Sequence, residues 1–199
     1  MSTFRPKYIT FDCYGTLANF DMAGAAKRVY GARLSPAAMA DFIRSFSAYR
    51  LHEVLGAWKT YGEVAARAVG RTCKRHGIPF CLEDAERIHD EVPSWGPHPD
   101  VPAGLAKVAK EIPLVILSSA MSGVIMSNVE KLGCGPEDIT HVSSSFRYDL
   151  ITAYGLGIMI KVWVNRGHEP ANPDYHYTEV KDIGGLAAAV GLESARDVA

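Results

Sequence analysis

Tyr8-Ile9-Thr10-Phe11-Asp12-Cys13-Tyr14-Gly15-Thr16-Leu17 is the stretch that decides the fold. Its first four residues form a short apolar, β-favouring run that stops at an acidic residue and a turn-prone glycine. That pattern predicts a buried strand handing polar residues to its C-terminal edge. Three later runs repeat it. Pro113 to Leu117 ends at Ser118 and Ser119, Ile139 to Val142 at Ser143, Ser144 and Ser145, and Ile160 to Val164 at Asn165 and Arg166. Short apolar strands separated by helical patterns predict an α/β fold with a Rossmann-like parallel sheet. Ligands of such sheets sit beyond the carboxyl ends of the strands, where Asp12, Ser118 and Ser144 are expected to converge.

From Phe20 to about Val92 the apolar runs disappear and the pattern becomes helical. Ser35-Pro36 is a helix start, Thr60-x-x-Glu63 is a capping box and Gly77 is a stop. Residues 20–92 therefore read as a helical cap inserted into a core made of residues 1–19 and 93–199, with Pro97 and Pro99 marking the return to the sheet. Ala103 to Glu111, Gly123 to Leu132 and Tyr148 to Leu156 read as later helices, the last two stopped by Gly133 and Gly157.

The composition narrows the function classes. A chain of 199 residues that is 48% hydrophobic can bury one sizeable core. Its 21 basic residues nearly cancel its 22 acidic ones and form no basic stripe, so nucleic acid is not an expected partner. Cys13, Cys73, Cys81 and Cys134 lack metal-site spacing and read as free thiols. The N-terminus lacks a signal-peptide pattern, and no apolar run approaches the roughly 20 residues of a membrane span, so no membrane partner and a cytoplasmic location are expected.

A carboxylate at the end of a buried strand, beside the backbone N–H groups of a glycine turn, can stay ionised and attack an electrophilic carbon. Read alone, Asp12 fits equally a residue that caps the turn. The stretch Asp12-Cys13-Tyr14-Gly15-Thr16, however, resembles the DxYGT signature of 2-haloacid dehalogenases in the haloacid dehalogenase superfamily. Ser118 after the second strand, Asp149 after the third, and Val162-Trp163-Val164-Asn165-Arg166 follow in that superfamily's order. The position of the cap insertion also fits.

The resemblance implies a two-step hydrolysis of short L-2-haloacids. Asp12 displaces halide to form an ester, and water, activated by Asp149, then attacks the Asp12 carboxyl carbon. Tyr14, Thr16, Arg44, Ser118, Ser119 and Ser144 are the implied substrate- and halide-binding residues. Arg44 fits a solvated helix arginine equally well. Tyr148, Phe146 and Tyr61 are expected to help form an apolar pocket. Phosphatases of the superfamily carry a second acid two places after the nucleophile, where this chain has Tyr14. They also use acids near the third strand for magnesium, where this chain has Ser143, Ser144 and Ser145. No metal and no cofactor are therefore expected. A magnesium-dependent phosphatase is the less favoured alternative, and a catalytically inactive member is another. A homodimer is common in that branch, but nothing in this sequence demonstrates one.

Three departures stand against the resemblance. Ser119 and Phe146 occupy positions where that branch carries Asn. Only 26 positions separate Ser118 from Ser144, so a strand–helix unit with its lysine-bearing loop is expected to be missing from the core. Neither Lys131 nor Lys161 matches that lysine by position.

Overall fold

Strand β1 (Tyr8–Phe11) lies inside the sheet, paired in parallel with β2 (Leu114–Ile116) on one side and β3 (Ile139–Ser143) on the other. β4 (Ile160–Val164) and β5 (Thr178–Val180) extend the parallel order to β2-β1-β3-β4-β5. The computed structural model describes residues 4–117 and 133–192, and the statements below concern those residues. The expected α/β parallel sheet is therefore present.

In register, Ile9 lies between Leu114 and Thr140, Phe11 lies between Ile116 and Val142, and Val142 also faces Val162. Ile9, Phe11, Val142, Val162 and Val164 join Val101, Val108, Ile183 and Leu186 in one core cluster. Separate clusters gather Phe146, Leu150 and Trp163, and Ile139, Ala153 and Ile158. Burial on both faces explains why β1 and β4 read as largely apolar runs rather than alternating ones. β5 gives no such signal because Thr178 and Glu179 are exposed.

The chain runs from β1 to β2 in one direction and then crosses over to β3 on the other side. The topological switch point therefore lies at the carboxyl ends of β1 and β3, the expected ligand position in an open parallel sheet. Between Gly133 and Ile139 the chain makes only a single 3₁₀ turn, Pro136–Asp138, with no strand.

The contacts divide the chain into two units, Met1–Asn19 with Pro97–Ala199, and Phe20–Gly96. The second boundary falls four residues later than the sequence suggests. Val92 is part of the helical unit's core and the Trp95 ring packs edge-on against Phe20 at 5.5 Å, so residues 93–96 belong with the helices.

The helical unit contains α1 (Met22–Tyr30), α2 (Pro36–Leu55), α3 (Tyr61–His76) and α4 (Leu82–Asp90). Ser35 caps α2, and both halves of the Thr60–Glu63 capping box are formed at α3. Gly77, at φ 65°, closes α3 in the left-handed conformation that glycine adopts without a Cβ clash. Among the described residues, no helix is long and apolar enough to cross a membrane.

In the α/β unit, α5 (Val101–Val108) begins before the expected Ala103 and ends before Glu111, with Pro102 in its first turn. A Cβ on Gly104 would lie 2.6 Å from the Ile183 carbonyl oxygen, so only glycine allows α5 to pack this closely. The helix expected from Tyr148 begins instead as a π-helical turn, Phe146–Leu150, and continues as α6 (Ile151–Gly155). α7 (Leu186–Ala189) is the last described helix. The helix expected over Gly123 to Leu132 lies outside the described residues.

Candidate active site

Asp12 follows β1 directly, and its backbone N–H donates to Val142 O at 3.1 Å, which locks it to β3. The chain then reverses through Gly15, whose φ of 95° suits glycine and whose N–H donates to Ala18 O at 2.7 Å. The reversal brings Thr16 back over the carboxylate. The Thr16 hydroxyl donates to Asp12 Oδ2 at 2.7 Å and accepts the Ser144 backbone N–H at 2.8 Å, with Ser144 Oγ 3.1 Å away. One hydroxyl thus joins the ends of β1 and β3 and brings Asp12 and Ser144 together, two of the three residues expected to converge, the third, Ser118, lying outside the described residues. The Trp163 indole N–H donates to Ser144 O at 3.3 Å and fixes the serine from β4.

The second carboxylate arrives on the π-turn. Leu150 N–H donates to Ser145 O at 3.1 Å, a five-residue step that widens the helix. Asp149 is turned into the protein and is 2% exposed. Ser143 Oγ–H donates to Asp149 Oδ2 at 2.8 Å and accepts the Ser145 N–H at 3.0 Å, while Asp149 Oδ1 is buried without a hydrogen-bond partner.

Burial raises the proton affinity of both carboxylates. The Asp12 carboxyl is held above its ordinary value by loss of water, against the opposing pull of the Thr16 hydroxyl and the Cys13 backbone amide. Asp149 is raised by burial and then by the negative charge of Asp12, with Ser143 opposing. None of the described groups that move Asp12 is a cation. The Cys13 thiol, beside the nucleophile, is pushed up by burial and by the Asp12 charge, which disfavours the thiolate.

A second network holds the turn from its outer side. Arg166 clasps Asp100 through two bonds of 2.9 and 2.8 Å and donates to the Thr16 carbonyl at 3.0 Å. Asp100 also accepts the Ile183 N–H at 2.8 Å, and the Arg166 guanidinium holds its carboxyl down to about 2. His98 N–H donates to Leu17 O at 2.9 Å. The sequence offered no pattern for this pairing, because its members are 66 residues apart and belong to no common motif. Ser143 and Glu169 were likewise not anticipated. A polar residue closing a buried strand was the available signal for Ser143.

Arg44 is an exposed arginine of α2 bonded to Asp41 at 2.9 Å, a one-turn pair within its own helix. Phe146 is not a pocket wall. Its ring packs with Trp163 and Tyr177 at centroid distances of 4.9 and 5.0 Å and fills a core cluster. Tyr14 is 42% exposed. Tyr61 packs within the helical unit and Tyr148 is half-buried on the π-turn. Lys161 is buried, donates to Ile158 O at 2.9 Å and serves the start of β4, the end of the sheet away from Asp12. Ser118, Ser119 and Lys131 lie outside the described residues. All four cysteines are free thiols, and the described residues contain no cluster of His, Cys, Asp and Glu able to hold a metal ion.

No protein-family model and no curated protein matches this sequence. Solved structures do. An L-2-haloacid dehalogenase aligns with a TM-score of 0.74 and 19% identity over 94% of this chain and 99% of its own. The L-2-haloacid dehalogenase from Xanthobacter autotrophicus with chloropropionic acid covalently bound aligns at 0.68 and 19% identity, over 94% of this chain and all of its own. The magnesium-bound HAD-hydrolase YfnB from Bacillus subtilis aligns at 0.69 and 12% identity, over 94% and 99% of the two chains. The fold is that of the haloacid dehalogenases. At these identities the likeness is one of fold.

Proposed function

We propose that this chain hydrolyses the carbon–halogen bond of short L-2-haloacids, with Asp12 as nucleophile and Asp149 as the base for the second step. The observation that carries the proposal is the pair of buried carboxylates at the switch point of the sheet, each held by a hydroxyl. In the first step an Asp12 oxygen forms a bond to the α-carbon as the halide leaves with the bonding electrons, inverting that carbon. Halide needs no proton to depart, which agrees with Tyr14 standing where a phosphatase has its acid. In the second step water adds to the Asp12 carboxyl carbon, Asp149 takes its proton, and the 2-hydroxyacid leaves with Asp12 regenerated.

The electrostatics suit that order. While Asp12 is ionised, its charge helps to keep a proton on Asp149. Esterification removes the charge, so Asp149 ionises more readily once the ester exists and a base is required. Thr16 keeps one Asp12 oxygen hydrogen-bonded through both steps.

The separation of only 26 positions between Ser118 and Ser144, too short for the lysine-bearing loop of that branch, favours a second reading, a fold of this class without turnover. A positive charge that neutralises substrate and nucleophile is worth several kcal/mol in such a site, or about a hundredfold or more in rate.

The test is halide release from L-2-chloropropionate without added metal, parent against Asp12→Asn. Release by the parent, with a loss of about 10⁴-fold or more in the variant, is the expected result. No turnover of L-2-chloropropionate or of a phosphate ester by folded parent protein establishes the non-catalytic reading. Magnesium-dependent release of phosphate from a phosphate ester, with no halide release, sinks the dehalogenase in favour of a phosphatase.

A further inference from the structure

The loop after β4 reaches back to the turn that carries Asp149. Glu169 Oε2 accepts the backbone N–H of Phe146 at 2.8 Å and of Arg147 at 3.3 Å, and Oε1 accepts the Ser145 hydroxyl at 3.1 Å. The two N–H groups lie at the open start of the π-turn, where the helix provides no acceptor of its own. A carboxylate satisfies them with charge-assisted bonds, stronger than those of a neutral acceptor. The Phe146 side chain supplies no polar group here, because its ring is committed to Trp163 and Tyr177. The turn is therefore held on one side by packing and on the other by Glu169.

We infer that Glu169 is a positioning residue that holds the Phe146–Leu150 turn so that Asp149 faces the reacting ester, an inference that rests on the role proposed above for Asp149. A neutral acceptor could make the same bonds more weakly. A carboxylate also brings charge. Among the described residues, the charged groups that act on Asp149 are Asp12 from the end of β1 and Glu169 from the loop after β4, both negative, while Arg147 on its own turn is exposed. Glu169 therefore acts on Asp149 in two separable ways, through the geometry of the turn and through repulsion that favours its protonated form.

Two substitutions separate these effects. Glu169→Gln retains an oxygen for the two N–H groups and the size of the side chain but loses the charge, whereas Glu169→Ala loses both. The experiment follows the Asp149 carboxyl by carbon NMR across pH in aspartate-labelled resting protein, its signal assigned by disappearance in Asp149→Asn. Halide release from L-2-chloropropionate is measured in the same variants. In Glu169→Gln the Asp149 signal is expected to titrate at lower pH than in the parent, and the acid limb of kcat should move in the same direction with KM unchanged. In Glu169→Ala, kcat is expected to fall by about 10- to 100-fold. An Asp149 signal that titrates at the parent pH in Glu169→Gln overturns the inference, as does folded Glu169→Ala with parental kcat. If the parent releases no halide, the proposed function falls, and the titration of the resting protein still decides whether Glu169 acts on Asp149.

Discussion

Asp84 in the helical unit and Asp149 in the α/β unit are both buried carboxylates, 4% and 2% exposed, and they are held in opposite ways. Asp84 receives the Arg33 guanidinium through bonds of 2.5 and 3.0 Å, and its carboxyl lies below the ordinary value chiefly because of those bonds. Asp149 receives one serine hydroxyl, faces the negative charge of Asp12, and is raised. Asp100 shows that the α/β unit can provide cations too, since Arg166 is committed to it and not to either site carboxylate. The contrast separates carboxylates that hold the fold from carboxylates whose proton is left available for chemistry.

Breaking the Asp100–Arg166 clasp should have the largest effect on stability. Arg166→Leu leaves a partly buried carboxylate without its cation and is expected to cost about 3 kcal/mol in urea unfolding at neutral pH. Because the folded Asp100 value is depressed to about 2, the stability from this pair is present above the unfolded carboxylate value near 4 and is lost as pH falls toward 2. The gap between parent and variant should close over that range. A gap that persists at the acid end would assign the loss to packing instead.

Asp149→Asn should act with the opposite sign. It replaces a raised, buried carboxyl by a neutral group of the same size, and we expect a gain of about 1–2 kcal/mol together with loss of halide release. The folded Asp149 value is raised, so its ionisation costs the fold stability as pH rises above the unfolded value near 4. The gain should therefore grow with pH and vanish below about 4. Loss of stability at high pH in this variant would place Asp149 with Asp84 and Asp100 as a structural acid.

The smallest effect is expected from Arg33→Ala. Its guanidinium is about half exposed, so water takes over part of its role toward Asp84. A slightly lower urea midpoint and a return of the Asp84 carboxyl toward its ordinary value, read by NMR, are the expected outcomes. No change in either would remove Arg33 from the comparison.

The strand set, the helical character of the segment after β1 and the meeting of Asp12 with Ser144 were legible in the sequence because each depends on local order. A buried run must end somewhere, and the residues that close it are fixed in space by the sheet. The capping box at Thr60 and the stops at Gly77 and Gly157 were legible for the same reason. What the sequence concealed is held by distant pairs. Glu169 meets a turn more than 20 residues away, and Asp100 meets Arg166 across 66. A charged or aromatic residue such as Arg44 or Phe146 carries no mark in the sequence of which neighbour it will meet. Here those neighbours were Asp41, one helical turn away, and the ring of Trp163.

The π-turn has one more consequence. Ser145 and Leu150 are joined by a bond that spans one residue more than an α-helical turn would. The distance from the end of β3 to Asp149 is therefore set by chain length rather than by helical periodicity. Exposed positions in that span, such as Arg147, can change identity freely. Removing one residue would restore the narrower helix and rotate the carboxylate by about 100°. Replacement of the segment's exposed side chains is expected to cost less than deletion of a residue.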